Sequence, residues 1–193
     1  IPHMENYKNP ALTPEERACD LLSRMTLQEK IAQINITRGV EFHVNSLADG
    51  GTCTVEADDT FMPEKFDEYV GDYGIGYLHD IYSIPAVKNR MQKRLVEGTR
   101  LGIPAIFTGE ALHGLSFRGA SIFPVPLTLS QSFDPDLVRE VGDGIAAETR
   151  ALGHQEILAP NLDVARDPRW GRTEETFGED TYLSSEMAVA IIS

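Results

Sequence analysis

Glu110 belongs to the first of two polar segments whose residue types could bind a hydroxyl-rich ligand. The segment reads Thr-Gly-Glu-Ala-Leu-His-Gly at residues 108–114 and follows a short apolar run at residues 104–107. An ionised carboxylate has two acceptor oxygens, so Glu110 could accept hydrogen bonds from two neighbouring hydroxyl groups. It could also cap a helix or pair with an arginine, since structural ion pairs are common. His113 is more typical of a buried, hydrogen-bonded imidazole than of a catalyst.

The second polar segment, residues 161–175, follows another short apolar run at residues 157–160. It contains three arginines, one tryptophan and four carboxylates. The planar guanidinium of arginine binds adjacent hydroxyls in a fixed geometry, and a tryptophan ring offers an apolar face for packing. The candidate ligand-binding residues of this segment are Asp163, Arg166, Trp170 and Arg172. Because the segment has too many charges for one small ligand, part of it is expected to be a salt-bridged brace.

The composition narrows the range of ligands. A formal net charge of −13 argues against a general nucleic-acid partner, because phosphate backbones require Lys and Arg. No apolar run reaches the about 18 residues that a membrane-spanning helix needs. The histidines are scattered without metal-ligand spacing, and neither nucleotide-binding nor serine-hydrolase motifs occur. We therefore expect no metal and no cofactor, and the two cysteines form no disulfide framework.

Alternating helix and strand patterns must position the two polar segments. Two capping-box patterns predict two short helices between residues 13 and about 36. Residues 38–73 have poor periodicity, which predicts a long loop with short ordered pieces. The remaining pattern predicts strands at residues 74–78, 104–107 and 157–159, and helices at residues 85–100, 134–153 and from 181 onward.

This alternation is typical of parallel βαβ units with helices covering the sheet. Three units are recognisable, whereas a closed (β/α)₈ TIM barrel needs eight and about 200 residues or more. The sequence also ends inside a helical pattern. We therefore predict an α/β fold that forms the N-terminal portion of a partial (β/α)₈ barrel, with an open three-layer sheet as the alternative. In a barrel, both polar segments lie at the carboxyl ends of strands, where active sites are built.

Four motifs resemble glycoside hydrolase family 3 in their order and spacing. They are Glu-Ala-Leu-His-Gly at residues 110–114, Phe-Pro-x-Pro at 123–126, Asp-Val-x-Arg-Asp-Pro-Arg-Trp-Gly-Arg at 163–172 and Glu-Asp at 179–180. Residues 25–31 also resemble the start of that family's barrel domain. The resemblance implies that residues 5–193 are the N-terminal part of the barrel domain, while residues 1–4 could be a cloning remnant.

The resemblance implies a retaining hydrolase, in which an Asp nucleophile forms a glycosyl-enzyme that water then hydrolyses. The family positions that match Glu110 and Arg172 bind ring hydroxyls of the attacked sugar, and Trp170, Asp163 and Arg166 are supporting candidates. The family's Lys-His pair and its nucleophile segment have no match in the 193 residues. The sequence thus predicts half a sugar subsite, no catalytic residue and an isolated chain without activity.

Glu110 also bears on the choice of sugar. Members that resemble β-xylosidases have Glu at this position, whereas members that act on glucosides usually have Asp. The longer side chain could fill the space of a glucose hydroxymethyl group, although one methylene discriminates by only about 1–3 kcal/mol. We predict an exo-acting β-xylosidase that releases xylose from xylo-oligosaccharides. The alternatives are a β-glucosidase, an α-arabinofuranosidase, or a non-catalytic sugar-binding or structural unit.

The expected partners are a carbohydrate substrate and the remainder of the barrel with its C-terminal domains. About three of eight barrel units would leave open sheet edges that require cover. The sequence does not decide whether the protein forms a homo-oligomer. The compartment also stays open between extracellular, periplasmic and cytoplasmic, because no signal peptide is visible in the sequence.

Overall fold

The computed structural model of the chain describes residues 5–43, 61–79, 84–117 and 119–193. Its helices are α1 (Pro14–Arg24), α2 (Leu27–Gln33), α3 (Pro63–Val70), α4 (Pro85–Gly98), α5 (Pro126–Ser130), α6 (Pro135–Ala151) and α7 (Thr181–Ile192). Its strands are β1 (Ile36–Arg38), β2 (Tyr77–His79), β3 (Ile106–Gly109) and β4 (Glu156–Ile157). Short 3₁₀ turns lie at Asn6–Lys8, Gly39–Phe42 and Thr173–Glu175.

The four strands form a sheet in the order β1-β2-β3-β4. Every neighbouring pair is parallel. Parallel strands that follow one another around the sheet, with helices between them, are the arrangement of a (β/α) barrel. The predicted α/β class and partial barrel are therefore confirmed, with one strand more than the sequence indicated.

One face of the sheet packs against α3 and α4. Leu78 of β2 pairs with Phe107 of β3, and both side chains are buried in one cluster with Val87, Met91 and Leu95 of α4. The α4 residues are four positions apart, so they form one apolar stripe along the helix. This packing fixes β2 and β3, and the first polar segment continues from the carboxyl end of β3.

A second apolar core holds the helices around β4. Leu129 of α5, Val138 and Ile145 of α6 and Met187 of α7 belong to one buried cluster, and Ile157 of β4 packs against it. The core therefore positions the start of the second polar segment, which follows β4.

The first two helices begin as predicted, each with a capping box. Thr13 and Thr26 accept hydrogen bonds from the N–H groups of Glu16 and Glu29, whose carboxylates accept from the threonine N–H groups in return. Glu29 is 2% exposed and also accepts from Arg100 Nε at 2.8 Å. Arg100 is the main cause that lowers the pKa of Glu29 to about 2. The ion pair ties α2 to the segment that leads into β3.

The segment leading into β2 begins in direct contact with the end of α2. The Gly76 N–H donates to Ala32 O at 2.9 Å. A Cβ added to Gly76 would lie only 1.8 Å from Gln33 O. A glycine is needed here because any side chain would collide with the backbone of the helix.

Residues 38–73, predicted to be a long loop with short ordered pieces, contain the eight-residue helix α3. Pro63 opens α3 at its first turn, and Phe66 and Val70 are buried on one side of the helix. Two buried apolar residues in an eight-residue helix give too short a periodic pattern to stand out from a Gly- and Asp-rich neighbourhood. Residues 44–60 of the predicted loop lie outside the described residues.

The strands also differ from the predicted boundaries. β2 and β3 start later than expected, and one reason is Pro104, which has no N–H to donate to a strand ladder. The short strand β1 and the five-residue helix α5 were not predicted at all.

The predicted remnant at residues 1–4 and Cys53 lie outside the described residues. Within the described ranges, no helix has the length and apolar character required to cross a membrane.

Candidate functional site

Glu110 lies directly after β3, at the carboxyl end of the sheet, as predicted. Its Oε1 atom lies 3.4 Å from Nε2 of His79, the last residue of the neighbouring strand β2. The Glu110 side chain is 38% exposed and the His79 side chain 19% exposed. The carboxylate is therefore open to a ligand on one side and faces an imidazole on the other.

The region beneath Glu110 is buried and polar. Thr108 is fully buried and His154 is 4% exposed. A Cβ added to Gly109 would lie 3.0 Å from His154 Nδ1, so the glycine allows the imidazole to pack directly on β3. Burial lowers the pKa of His154 to about 4, and the charge of Lys88 contributes to this lowering. His154 is therefore neutral near pH 7, and its ring packs against β3 at Gly109.

The scattered histidines are partly gathered near this buried region, which the sequence did not reveal. The charge of Lys88 acts on His43 as well as on His154, and burial lowers the pKa of Lys88 itself to about 8. Within the part of the chain that the structure describes, no group of three or more His, Cys, Asp or Glu side chains is placed to hold a metal ion.

Arg172 extends from the loop that follows β4. Its Nε donates to Glu175 Oε2 at 2.7 Å, and its Nη2 lies 2.5 Å from the same oxygen. This interaction raises the pKa of Arg172, and the charges of Glu110 and Asp163 raise it further. Two other predicted site residues, Glu110 and Asp163, therefore lie within electrostatic reach of Arg172, although Glu110 comes from the other segment.

Glu175 was expected only to brace the loop, but the structure gives it a more specific position. Its side chain is 24% exposed. Its pKa is lowered first by the hydrogen bond with Arg172 and also by the neighbouring Asn161 side chain. Glu175 therefore holds the Arg172 guanidinium within one turn of the loop. The Arg-x-x-Glu spacing in a single turn is the pattern from which this pair could have been predicted.

The other predicted residues of the loop have weaker connections. The Asp163 N–H donates to Asn161 Oδ1 at 3.1 Å, which orders the start of the loop. Trp170 is 37% exposed, and Arg166 is also exposed. Among the hydrogen bonds and ion pairs between described residues, none joins Arg166 or Trp170 to Glu110. Their predicted role in sugar binding stays a prediction.

Part of the loop is a salt-bridged brace, as expected. Arg169 Nη2 donates to Asp167 Oδ2 at 2.6 Å, and Arg169 Nε donates to Asp167 Oδ1 at 3.0 Å. The Asp167 carboxylate also accepts from the Arg169 N–H. The pair closes a tight turn and points its remaining polar atoms to solvent.

His113 stabilises the first polar segment rather than presenting a reactive group. Its Nδ1 lies 3.2 Å from Phe123 O, and the Phe123 N–H donates to His113 O at 2.8 Å. A cavity of about 230 Å³ lies beside the segment, lined in part by Glu110, Phe117 and Ile122. The hydrogen-bonded imidazole therefore supports one wall of a recess next to the carboxylate.

The parallel sheet, with Glu110 directly after β3 and Arg172 in the loop after β4, has the arrangement of a barrel protein with a polar ligand site. Residues 26–193 match the sequence profile described as the glycosyl hydrolase family 3 N terminal domain. The chain belongs to glycosyl hydrolase family 3, and the predicted family is confirmed.

Curated relatives include proteins named for two sugars. The chain is 37% identical over 190 residues to a putative beta-xylosidase of Formosa agariphila, covering 98% of this chain and 24% of the relative. It is 34% identical over 189 residues to a periplasmic beta-glucosidase of Salmonella typhimurium, covering 96% of this chain and 22% of the relative. The chain therefore spans about a quarter of the length of these relatives.

Solved structures show the same fold. A β-glucosidase from Erythrobacter marinus is similar with a TM-score of 0.77 and 35% identity, over 97% of this chain and 24% of that one. The beta-glucosidase of Listeria innocua is similar with a TM-score of 0.74 and 32% identity, over 93% of this chain and 23% of that one.

Proposed function

We propose that the chain contributes half of the sugar subsite of a retaining, exo-acting β-xylosidase. The observation that carries the proposal is the placement of Glu110 at the carboxyl end of β3, partly exposed and within electrostatic reach of Arg172. A carboxylate and a guanidinium on the same side of a barrel can accept from and donate to adjacent hydroxyls of one sugar ring.

In this proposal, Glu110 accepts hydrogen bonds from hydroxyls of the terminal xylose, and Arg172 donates to a neighbouring hydroxyl. The ion pair with Glu175 occupies Nε and Nη2 of Arg172, which leaves Nη1 for the sugar. Contacts that tighten in the oxocarbenium-like transition state raise the rate as well as the affinity. The Asp nucleophile comes from a part of the protein outside these 193 residues.

The remainder of the barrel is proposed to cover β4 and α7. Within the described residues β4 pairs only with β3. Leu158 is 43% exposed, Val189 62% and Ile192 66%. A cavity of about 260 Å³ lined mainly by apolar side chains, among them Ile145 and Ile157, opens beside them. Unpaired strand edges and clustered apolar surface require a covering partner, and further strands of the same domain would supply it.

The preference for xylose rests on the length of Glu110. Relatives of similar sequence identity carry the names beta-xylosidase and beta-glucosidase. Sequence similarity alone therefore does not distinguish xylose from glucose as the substrate sugar. The additional methylene of Glu relative to Asp occupies space where a glucose hydroxymethyl group would project. The expected discrimination is about 1–3 kcal/mol, or roughly 10- to 200-fold.

The test compares kcat/KM of the full-length protein for aryl β-xyloside, β-glucoside and α-arabinofuranoside. A clear preference for the xyloside supports the proposal. A preference for either of the other glycosides overturns the argument from Glu110 while keeping a hydrolase. Turnover of none of the three, with binding of xylose or xylobiose in calorimetry, would instead identify a non-catalytic sugar-binding protein.

A Glu110→Asp variant tests the steric argument separately. Shortening the side chain is expected to raise the ratio of glucoside to xyloside kcat/KM by about 10-fold, since one methylene of space is restored. Glu174→Asp is the matched control, because Glu174 is an exposed carboxylate of the nearby loop. An unchanged ratio in Glu110→Asp would contradict the steric role.

A further inference from the structure

We propose that His79 is a positioning residue that fixes the Glu110 carboxylate for sugar binding, an inference that rests on the proposed function. His79 Nε2 lies 3.4 Å from Glu110 Oε1. His79 is the last residue of β2 and Glu110 directly follows the neighbouring strand β3, so the two do not belong to one loop. Their proximity is therefore a property of the sheet and not of local chain geometry.

The backbone of β2 holds the imidazole in a defined direction. Leu78, the preceding residue, is fully buried and pairs with Phe107 of β3. Because side chains alternate along a strand, His79 leaves the sheet on the face opposite to Leu78. The His79 Nε2 atom is itself shielded from solvent. The ring edge next to the carboxylate is thus enclosed, unlike that of a freely hydrated surface histidine.

The Glu110 side chain needs such support because it is long and 38% exposed. A glutamate loses more side-chain entropy on binding than a shorter aspartate does. A donor that restrains one carboxylate oxygen before binding reduces this loss, while the other oxygen stays available to a hydroxyl. The separation of 3.4 Å is longer than a tight charge-assisted hydrogen bond, and contacts in ligand-free sites commonly shorten when the ligand binds.

The test is a double-mutant cycle in the full-length protein, with kcat/KM measured on an aryl β-xyloside. His79→Leu removes the donor at similar volume, whereas His79→Gln keeps an N–H group near the position of Nε2. We expect His79→Leu to lower kcat/KM about 10-fold, the effect of one hydrogen bond to a charged group. Most of the change should appear in KM, and His79→Gln should recover most of the loss.

The second arm repeats His79→Leu in a Glu110→Ala background. There the change is expected to alter kcat/KM by less than about two-fold, because residues that act through each other are not additive. An equal loss in both backgrounds would show that His79 acts independently of Glu110 and would overturn the proposal. A loss that His79→Gln does not recover, with a lowered melting temperature in both variants, would assign a structural role and also overturn it.

A failure of the proposed β-xylosidase function can be distinguished from a failure of the positioning role of His79. In that case the wild-type full-length protein turns over no glycoside, and the kinetic cycle cannot be read. Crystal structures of the wild type and of His79→Leu then decide the positioning role. A Glu110 carboxylate displaced in the variant supports the role, and a carboxylate in the same position overturns it.

Discussion

The two sides of the candidate site are built in different ways. On the strand side, Glu110 follows β3 and faces His79 of β2, beside the buried imidazole of His154. On the loop side, Arg172 is 57% exposed and is held by Glu175 within one turn of the chain. The strand side therefore depends on the packing that folds the sheet, while the loop side depends on a local ion pair.

This difference predicts how each side responds to change. Groups placed by strand packing are ordered before a ligand arrives, so little further entropy is lost when it binds. An exposed ion pair is screened by salt and holds its partners less firmly. We therefore expect the loss of Glu110 on the strand side to have a larger effect than the loss of the Glu175 or Asp167 charge on the loop side.

The largest expected effect is that of Glu110→Ala on activity. Loss of two hydrogen bonds to a charged acceptor should lower kcat/KM of the full-length protein for its preferred aryl glycoside about 1000-fold. The melting temperature should change little, because the side chain is partly exposed. A loss of less than about 10-fold would remove Glu110 from the proposed subsite. Glu174→Ala serves as the control and is expected to stay within about two-fold of the wild type.

The next effect concerns the framework of the strand side. Glu29 pairs with Arg100, and its pKa is lowered from an ordinary value near 4.5 to about 2. A lowered pKa in the folded state contributes stability that is present above about pH 4.5 and is lost as the pH falls towards 2. Glu29→Gln is therefore expected to cost about 2 kcal/mol of unfolding free energy at pH 7.

Denaturant midpoints at pH 6 and pH 3 check this prediction. The difference in stability between the wild type and Glu29→Gln should be large at pH 6 and smaller at pH 3, because at pH 3 the carboxylate of the unfolded chain is protonated while the folded one, with its pKa near 2, is still largely ionised. A difference that is constant between the two pH values would show that the ion pair does not carry the effect. Glu15→Gln, on the exposed first turn of α1, is the matched control.

A smaller effect is expected from Glu175→Gln on the loop side. The variant removes the charge that holds Arg172, and we expect kcat/KM to fall about 10-fold, mostly through KM. Because the pair is partly exposed, the loss should shrink when the salt concentration is raised. A loss equal to that of Glu110→Ala would break the proposed contrast between the two sides.

The smallest effect is expected from Asp167→Asn. This substitution weakens the Asp167–Arg169 pair, which lies on the surface, and exposed pairs contribute little. The kcat/KM value should remain within about two-fold of the wild type. A larger loss would mean that the brace positions Arg172, so the loop side would be more cooperative than its local contacts indicate.

The sequence predicted the parts of the fold that have strong local determinants. Thr13 and Thr26 cap their helices because a capping box needs only four consecutive residues. Asp134 caps α6 because its side chain accepts hydrogen bonds from the N–H groups of Asp136 and Leu137. Helix α3 and strand β1 were missed because each is too short to establish a period. Their positions are fixed by tertiary packing, which a local pattern does not contain.

In the candidate site, too, the sequence indicated only the residues that belong to a local motif. Glu110 and Arg172 were selected from their motifs, and the structure brings them within electrostatic reach. His79 was not selected, because its proximity to Glu110 exists only once β2 and β3 pair. The sequence predicted Glu175 only as part of a salt-bridged brace. Its ion pair with Arg172 requires the turn at residues 173–175 to form. Residues that act through a neighbour on another strand leave no spacing pattern in the sequence.

The contact between Gly76 and α2 has an evolutionary consequence. A methyl group at this position would lie 1.8 Å from a backbone oxygen, and a backbone cannot move aside as a flexible side chain can. Any lineage that keeps α2 joined to the start of β2 in this way must retain glycine at this position. A relative with another residue here should have lost or displaced α2. The identity of this one residue therefore indicates whether α2 packs against the segment that leads into β2.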